Sequence, residues 1–268
     1  MGPLEMDTKG INKQSDVIRI TEFLILTFGL PALCLLLFQM SGNTIFHFIV
    51  YGIEGASPML AAIFIVSIHG KKEGVGKFLH DKSISNASPV ICILAFAVPF
   101  TILTIAKMIA VWVGDLYVYP MFPTAGKMLI IAWALIAEEL GWRGYLQDEL
   151  ERILPHCLIP LLTGVLWALW HYHFVLSGSM DIPIVAFALG CIFESYGYFA
   201  ITKMAKNNIL PASIWHFTGN LIFHIYRFDP QWHNGDTTFY WIATVCYGAN
   251  IILFILYEKK ETRNELAK

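Results

Sequence analysis

Three hydrophobic segments of the chain carry polar side chains of the types that activate water and bind an oxyanion. The residues are Glu138, Glu139 and Arg143 in the first segment, His171 in the second, and His216 and Asn220 in the third. An ionisable side chain at membrane depth costs roughly 2.5 to 3.5 kcal/mol on insertion scales, so each needs a partner or a function. We predict that these six residues form one catalytic site.

The two adjacent glutamates are predicted to have different roles. Glu139 and Arg143 are four residues apart, so on a helix they share a face and can form an ion pair. Glu138 is turned about 100° around the helix axis and remains the freer carboxylate. Burial disfavours its charged form, which suits a general base that takes a proton from water. A buried ion pair that only fixes helix packing is the alternative for Glu139 and Arg143.

The third segment offers two hydrogen-bond donors on one face. His216 and Asn220 are also four residues apart, so an imidazole and a carboxamide would point into one space and could bind a developing oxyanion. His171 could orient the attacking water beside Glu138. Hydrogen bonds that merely join helices are the alternative. His173, two residues further on, points to another side of its helix and is predicted to lie outside the site.

The elements that must position these residues are membrane-spanning helices. The chain of 268 residues is 56% hydrophobic and 14% charged, whereas a soluble domain averages about 25% charged residues. Apolar runs of about 20 residues match the ~30 Å hydrocarbon core of a bilayer. We therefore predict an all-α polytopic membrane protein with about eight transmembrane helices. The predicted spans are residues 17–38, 44–68, 89–114, 126–146, 158–176, 182–202, 209–226 and 238–257.

The basic residues predict the orientation of these spans, because cytoplasmic loops are enriched in Lys and Arg. With the N-terminus inside, the opposite loops hold only Arg227, with Lys127 at a span edge. The residues then assigned to the cytoplasm are Lys9, Lys13, Lys71, Lys72, Lys77, Lys82, Arg152, Lys203, Lys206, Lys259, Lys260, Arg263 and Lys268. We predict a multi-pass protein of the cell membrane with both termini cytoplasmic. Counted from the helix ends, the site would open to the cytoplasm.

Domain organisation and partners follow from the same composition. We predict one integral-membrane domain over residues 1–268, with a catalytic core at 125–225. The net charge of -2 without a basic stripe indicates no nucleic-acid partner. The expected partners are the lipid bilayer and a peptide or protein substrate at the membrane. Glu54, Lys107 and Glu194 also lie at membrane depth, and they could line a substrate path or pair with one another.

Together the three motifs resemble a known family. EExxxR at Glu138, aromatic-xxx-His from Trp167 to His171, and HxxxN from His216 to Asn220 are similar to the motifs of the CPBP (Abi) family, especially its prokaryotic branch. That family groups type II CAAX prenyl endopeptidases with bacteriocin-immunity proteins. One departure is Trp167, where the family commonly has phenylalanine. Because tryptophan keeps an aromatic surface, the expected chemistry is unchanged.

The resemblance implies an eight-helix fold and a metal-independent glutamate protease. Glu138 would activate water with help from His171, and His216 and Asn220 would form the oxyanion site. The expected function is cleavage of a CAAX-type, lipidated or hydrophobic peptide near the cytoplasmic face.

Alternatives remain for the cofactor and for the function. No cofactor is expected, with zinc as the alternative, because two histidines and a carboxylate are common zinc ligands although the HExxH motif is absent. The alternative function is bacteriocin self-immunity or partner binding without proteolysis. A transporter is less favoured, because the sequence shows no internal repeat.

Overall fold

The computed structural model describes residues 8–38, 44–69, 74–84 and 87–266. All regular structure in these ranges is helical, which confirms the predicted all-α class. The α-helices are α1 (Thr8–Phe38), α2 (Thr44–Gly55), α3 (Ser57–His69), α4 (Gly74–Leu79), α5 (Pro89–Trp112), α6 (Ala125–Ala137), α7 (Glu139–Gly141), α8 (Gln147–Glu151), α9 (Ile159–Trp170), α10 (Tyr172–Leu176), α11 (Ile184–Met204), α12 (Leu210–Ile225), α13 (Thr238–Tyr247) and α14 (Ala249–Leu266). Short π turns cover His80–Ile84 and Trp142–Leu146, and 3-10 turns cover His156–Leu158 and Pro230–His233.

Several helical stretches are long and apolar enough to cross a membrane. Within the described ranges there are five: Gln14–Phe38, Pro89–Trp112, His156–Leu176, Ile184–Met204 and Thr238–Leu266. The pair α2 and α3 makes a sixth if it counts as one span, although it is bent by 59°. The protein is therefore a multi-pass membrane protein.

The predicted number of eight spans is not confirmed. The predicted fourth span is helical but interrupted, because α6 ends at Ala137, immediately before the glutamate pair, and a π turn follows at Trp142–Leu146. The predicted seventh span corresponds to α12, whose 16 residues rise only ~24 Å. Both elements carry polar motif residues. These polar residues interrupt the apolar runs and shorten them.

The helices that carry the motifs pack against one another. α9 and α11 approach closely at Gly164, where an added Cβ would lie 2.6 Å from the Cα of Ile192. α12 packs against α5, α6 and α11, and the π turn after α7 contacts α9 and α11. Three fully buried tryptophans, Trp142, Trp170 and Trp215, fill the space between these helices. The motif residues are thus brought together by close helix packing.

The bundle has two ends, which we name after one residue of each. At the Lys82 end lie residues 74–84, 152–158 and 205–209. At the Asp229 end lie residues 113–124, 177–183 and 226–237. The Ile209 N–H donates to the Lys82 carbonyl at 2.7 Å, and the Met121 N–H donates to the Ile225 carbonyl at 3.1 Å, so each end is tied together.

The basic residues are unevenly divided between these ends. Most predicted cytoplasmic cations with described side chains, such as Lys82, Arg152 and Lys206, lie at the Lys82 end. Lys71, Lys72 and Lys268 lie outside the described residues, and so do the side chains of Lys9 and Lys13.

Candidate active site

Glu138 lies at the junction of α6 and α7 and is 6% exposed. Its Oε2 accepts a hydrogen bond from the indole Nε1 of Trp167 on α9 at 2.7 Å. At Gly141, α7 meets the backbone of Pro58 on α3 so closely that a side chain would not fit. This contact holds the glutamate pair against the rest of the bundle.

Glu139 is fully buried and binds two of the other predicted site residues. Its Oε1 accepts hydrogen bonds from Arg143 Nη1 at 3.0 Å and from His216 Nδ1 at 2.7 Å. The predicted ion pair with Arg143 is therefore present. Because a carboxylate only accepts, His216 donates from Nδ1, and its other nitrogen, Nε2, has no hydrogen-bond partner among the described residues.

Arg143 joins three helical elements through one buried side chain. Its guanidinium carbon lies 3.9 Å from the ring centre of Tyr198 on α11 and 4.7 Å from that of Trp167 on α9. Nη2 also lies 3.5 Å from Ser195 Oγ. Stacking on two rings and pairing with Glu139 offset part of the cost of burying this charge.

His171 ends α9 and has one fixed tautomer. Its Nδ1 donates to the carbonyl oxygen of Trp167 at 2.7 Å, which leaves Nε2 as a proton acceptor. The Trp167 ring centre lies 5.7 Å from that of His171 and 5.5 Å from that of His216. Trp167 therefore contacts Glu138 and both histidines.

Four of the six predicted site residues line one cavity of about 380 Å³. Glu138, His171, His216 and Asn220 line it, and the last two face it from one side of α12, as their spacing predicted. Glu139 and Arg143 do not line it but lie behind it, bonded to each other. The predicted set thus divides into four cavity residues and one supporting ion pair.

The cavity extends to the Asp229 end of the bundle. Loop residues in its lining are Ser179, Met180, Asp181, Ile182, Asp229 and Gln231, all at that end. Because the basic loops lie at the other end, the cavity does not support the predicted opening towards the cytoplasm.

Three further charged residues were predicted to line a path or to pair with one another. Glu54 instead pairs with His173, and both side chains are almost completely buried. Lys107 pairs with Asp115 and donates to the Tyr226 carbonyl at 2.8 Å. Glu194 lines the cavity. His173, bonded to Glu54, is absent from the lining, as its position two residues after His171 predicted.

Two residues close to the site were not predicted from the sequence to belong to it. Trp167 was expected to supply only an aromatic surface, yet its N–H bonds to Glu138. Its position one turn before His171 was the available signal. Glu194 lies outside every motif, and only the packing of α11 against α12 places it by the site.

Metal ligands were a second possible use of these side chains. Within the described ranges, no three His, Cys, Asp or Glu side chains come together in a way that could hold a metal ion. The zinc alternative therefore lacks an assembled ligand set in this part of the chain.

The fold and this cavity define a class: multi-pass helical membrane proteins with polar residues from several helices facing one cavity. Residues 120–222 match the family model of the type II CAAX prenyl endopeptidases, described as Rce1-like. This match includes all six predicted site residues and confirms the resemblance of the three motifs to that family of proteases. No curated protein matches the chain. Placement in the prokaryotic branch stays a prediction.

Proposed function

We propose that this protein is an intramembrane endopeptidase in which Glu138 activates water to cleave a membrane-associated hydrophobic, lipidated or CAAX-type peptide. The observation that carries the proposal is that the Glu138 carboxylate shares a cavity with His171, His216 and Asn220. The family match over residues 120–222 supports the reaction class. The test is incubation of the purified protein in lipid vesicles with such peptides, followed by mass spectrometry of the products. Failure to cleave any of them would contradict the proposal.

In the proposed mechanism, Glu138 takes a proton from water as the oxygen attacks the scissile carbonyl. His171 assists through Nε2, the nitrogen left as an acceptor by its bond to Trp167. The tetrahedral oxyanion receives hydrogen bonds from Asn220 and from Nε2 of His216. Since Nδ1 of His216 donates to Glu139, the ring must enter the reaction as an imidazolium, with a proton on each nitrogen. Glu138 then gives its proton to the leaving amine.

We also propose that the protein lies in the cell membrane with both termini in the cytoplasm. The described cations concentrate at the Lys82 end, where the positive-inside rule expects cytoplasmic loops. The cavity, however, extends towards the other end.

Replacing Trp167 by phenylalanine should reduce turnover by an order of magnitude or more. The ring over Arg143 would remain, but Glu138 would lose its N–H donor. A hydrogen bond to a charged group contributes about 1.5 to 3 kcal/mol. The effect should fall on kcat, with KM nearly unchanged, in steady-state cleavage assays.

Trp170→Phe is the matched control for this change. The Trp170 indole donates to Ser57 Oγ at 2.9 Å, and this residue does not line the cavity. It should lower stability with little effect on kcat. Equal losses of kcat in the two variants would contradict a positioning role of Trp167.

Exhaustive chelation should leave turnover of the purified protein largely unchanged. In the proposed mechanism the proton acceptor is Glu138, so removal of metal removes no reacting group. Asn220→Ala should by contrast cost roughly a hundredfold or more, as for other oxyanion donors. Elemental analysis would accompany the assay. Stoichiometric zinc whose loss and return switch the activity off and on would contradict the metal-free mechanism.

A further inference from the structure

The helices α6, α11 and α12 line the cavity with residues from the portion nearest the Asp229 end. From α6 these are residues between Lys127 and Ala134, and from α11 they run from Phe187 to Glu194. The lining of α12 begins at His216, six residues after the helix starts at Leu210. None of the lining residues comes from the described loops of the Lys82 end. The cavity therefore occupies one half of the bundle.

The Lys82 end is closed by packing and by ion pairs. Lys82 pairs with Asp148, and Lys203 pairs with Glu151 at 2.8 Å, so α8 is tied to two neighbouring segments. Beneath these pairs, Leu146 and Leu150 are buried to 0% and 2% exposure. A substrate arriving from this end would have to displace these ion pairs and the packed side chains below them.

Of the reacting groups, His171 lies nearer the Asp229 end, whereas His216 lies six residues from the start of α12 at the other end. His171 is followed only by α10, of 5 residues, or ~8 Å of helix, before the chain reaches the exposed loop at 177–183. Exposed aromatic side chains also mark this end, with Trp112 at 86% and Tyr119 at 82% exposure. Such residues are enriched where a protein crosses the membrane–water interface. The mouth of the cavity therefore lies at that interface.

Charge identifies which side of the membrane this is. The cations near the Asp229 end are few among the described residues: buried Lys107 paired with Asp115, Lys127 at the start of α6, and Arg227 bonded to the Tyr119 carbonyl. The Lys82 end carries Lys82, Arg152, Lys203 and Lys206, and α14 ends with Lys259, Lys260 and Arg263. Cytoplasmic segments carry this excess. The Asp229 end is therefore extracytoplasmic.

We propose that the site opens to the extracytoplasmic side, at the Asp229 end. Its substrates are hydrophobic peptides whose cleavable segment lies in the outer half of the bilayer. The substrate class rests on the proposed endopeptidase function, whereas the side of the opening does not. A peptide that is lipidated and held at the cytoplasmic surface fits this opening poorly.

The side of the opening can be tested by cysteine labelling in intact cells. Gln231 is an exposed residue of the cavity rim, and Ser83 is an exposed residue of the Lys82 end. Each would be replaced by cysteine in a variant without the native cysteines Cys34, Cys92, Cys157, Cys191 and Cys246. A membrane-impermeant maleimide should label Gln231→Cys directly, and Ser83→Cys only after permeabilisation. The reverse pattern would overturn the proposal.

A second measurement keeps the test decisive if the cysteine-free variant does not accumulate. A protease site inserted between Gly178 and Ser179, in the chain with its native cysteines, should be cut by protease added outside intact cells. Protection of that site until the cells are opened would overturn the proposal. Neither readout requires peptidase activity, so a failure of the proposed function would be seen separately.

The route of entry is tested by blocking the mouth. Attachment of a bulky maleimide to Gln231→Cys should lower turnover of a hydrophobic peptide at least tenfold relative to the unmodified variant. The same modification of Ser83→Cys should not. Unchanged turnover after complete modification at Gln231 would exclude entry at the Asp229 end.

Discussion

Glu138→Gln is expected to abolish peptide cleavage while the protein accumulates and unfolds like the original. The carboxamide has the same shape, and its oxygen can still accept the indole N–H of Trp167, so the packing around α7 is preserved. It cannot, however, take a proton from water. General-base catalysis contributes roughly 10²- to 10⁴-fold to a rate. Turnover of a fluorogenic peptide in vesicles, with thermal unfolding in detergent, measures both quantities.

Glu194→Gln is the informative comparison, because it makes the same change in the same cavity. Glu194 lies on α11 and, unlike Glu138, makes no hydrogen bond to the described residues of α9. Its loss should reduce turnover less than the loss of Glu138 does. If Glu138→Gln keeps substantial turnover, or if Glu194→Gln loses more, the general base has been assigned to the wrong carboxylate.

This pair of variants also separates proteolysis from the alternative of immunity or partner binding. A protein that only sequesters a peptide or a partner needs the shape of the cavity rather than a proton acceptor. Glu138→Gln should then retain the biological effect in cells. Loss of the effect together with loss of cleavage would favour the endopeptidase.

Local geometry made part of the site predictable from the sequence. A spacing of four residues places two side chains on the same face of a helix. This spacing predicts the ion pair of Glu139 with Arg143, and it places His216 and Asn220 on one face of α12. The bond from His216 to Glu139 joins residues 77 positions apart, and no local pattern indicates it. It depends on how α12 packs beside α7, which is a property of the assembled bundle.

Hydropathy similarly predicted that helices exist but not where they break. The bend between α2 and α3 and the π turn at Trp142–Leu146 lie inside apolar or motif-bearing runs. The direction of the opening was predicted from the orientation of the spans together with distances to helix ends. That inference ignored the packing at the Lys82 end, where Leu146 and Leu150 are buried.

Trp167 contributes a hydrogen-bond donor as well as the aromatic surface that was predicted. The prediction that an aromatic surface suffices considered only the ring, which does stack on Arg143 as phenylalanine could. The indole N–H is the part that reaches Glu138. A protein with phenylalanine at this position would need another donor for the same carboxylate, such as water or the substrate itself.

Arg143→Ala is expected to destabilise the protein strongly, by about 3 to 5 kcal/mol, because it leaves an uncompensated buried charge. Glu139 is 0% exposed, and its Oε2 already lacks a hydrogen-bond partner among the described residues. The change also removes the stacking on Tyr198 and Trp167. Yield from membranes and the midpoint of thermal unfolding in detergent should both fall.

Two comparisons assign this loss to the stranded charge. Lys203→Ala breaks the ion pair between Lys203 and Glu151, in which each side chain is 17% exposed. Loss of such a partly solvated ion pair should lower the stability by about 1 kcal/mol or less. In the double variant Glu139→Gln with Arg143→Ala, the neutral carboxamide can still accept from His216, so part of the stability should return. If Arg143→Ala instead accumulates and unfolds normally and loses only activity, the ion pair is not structural, and Arg143 acts on the reaction itself.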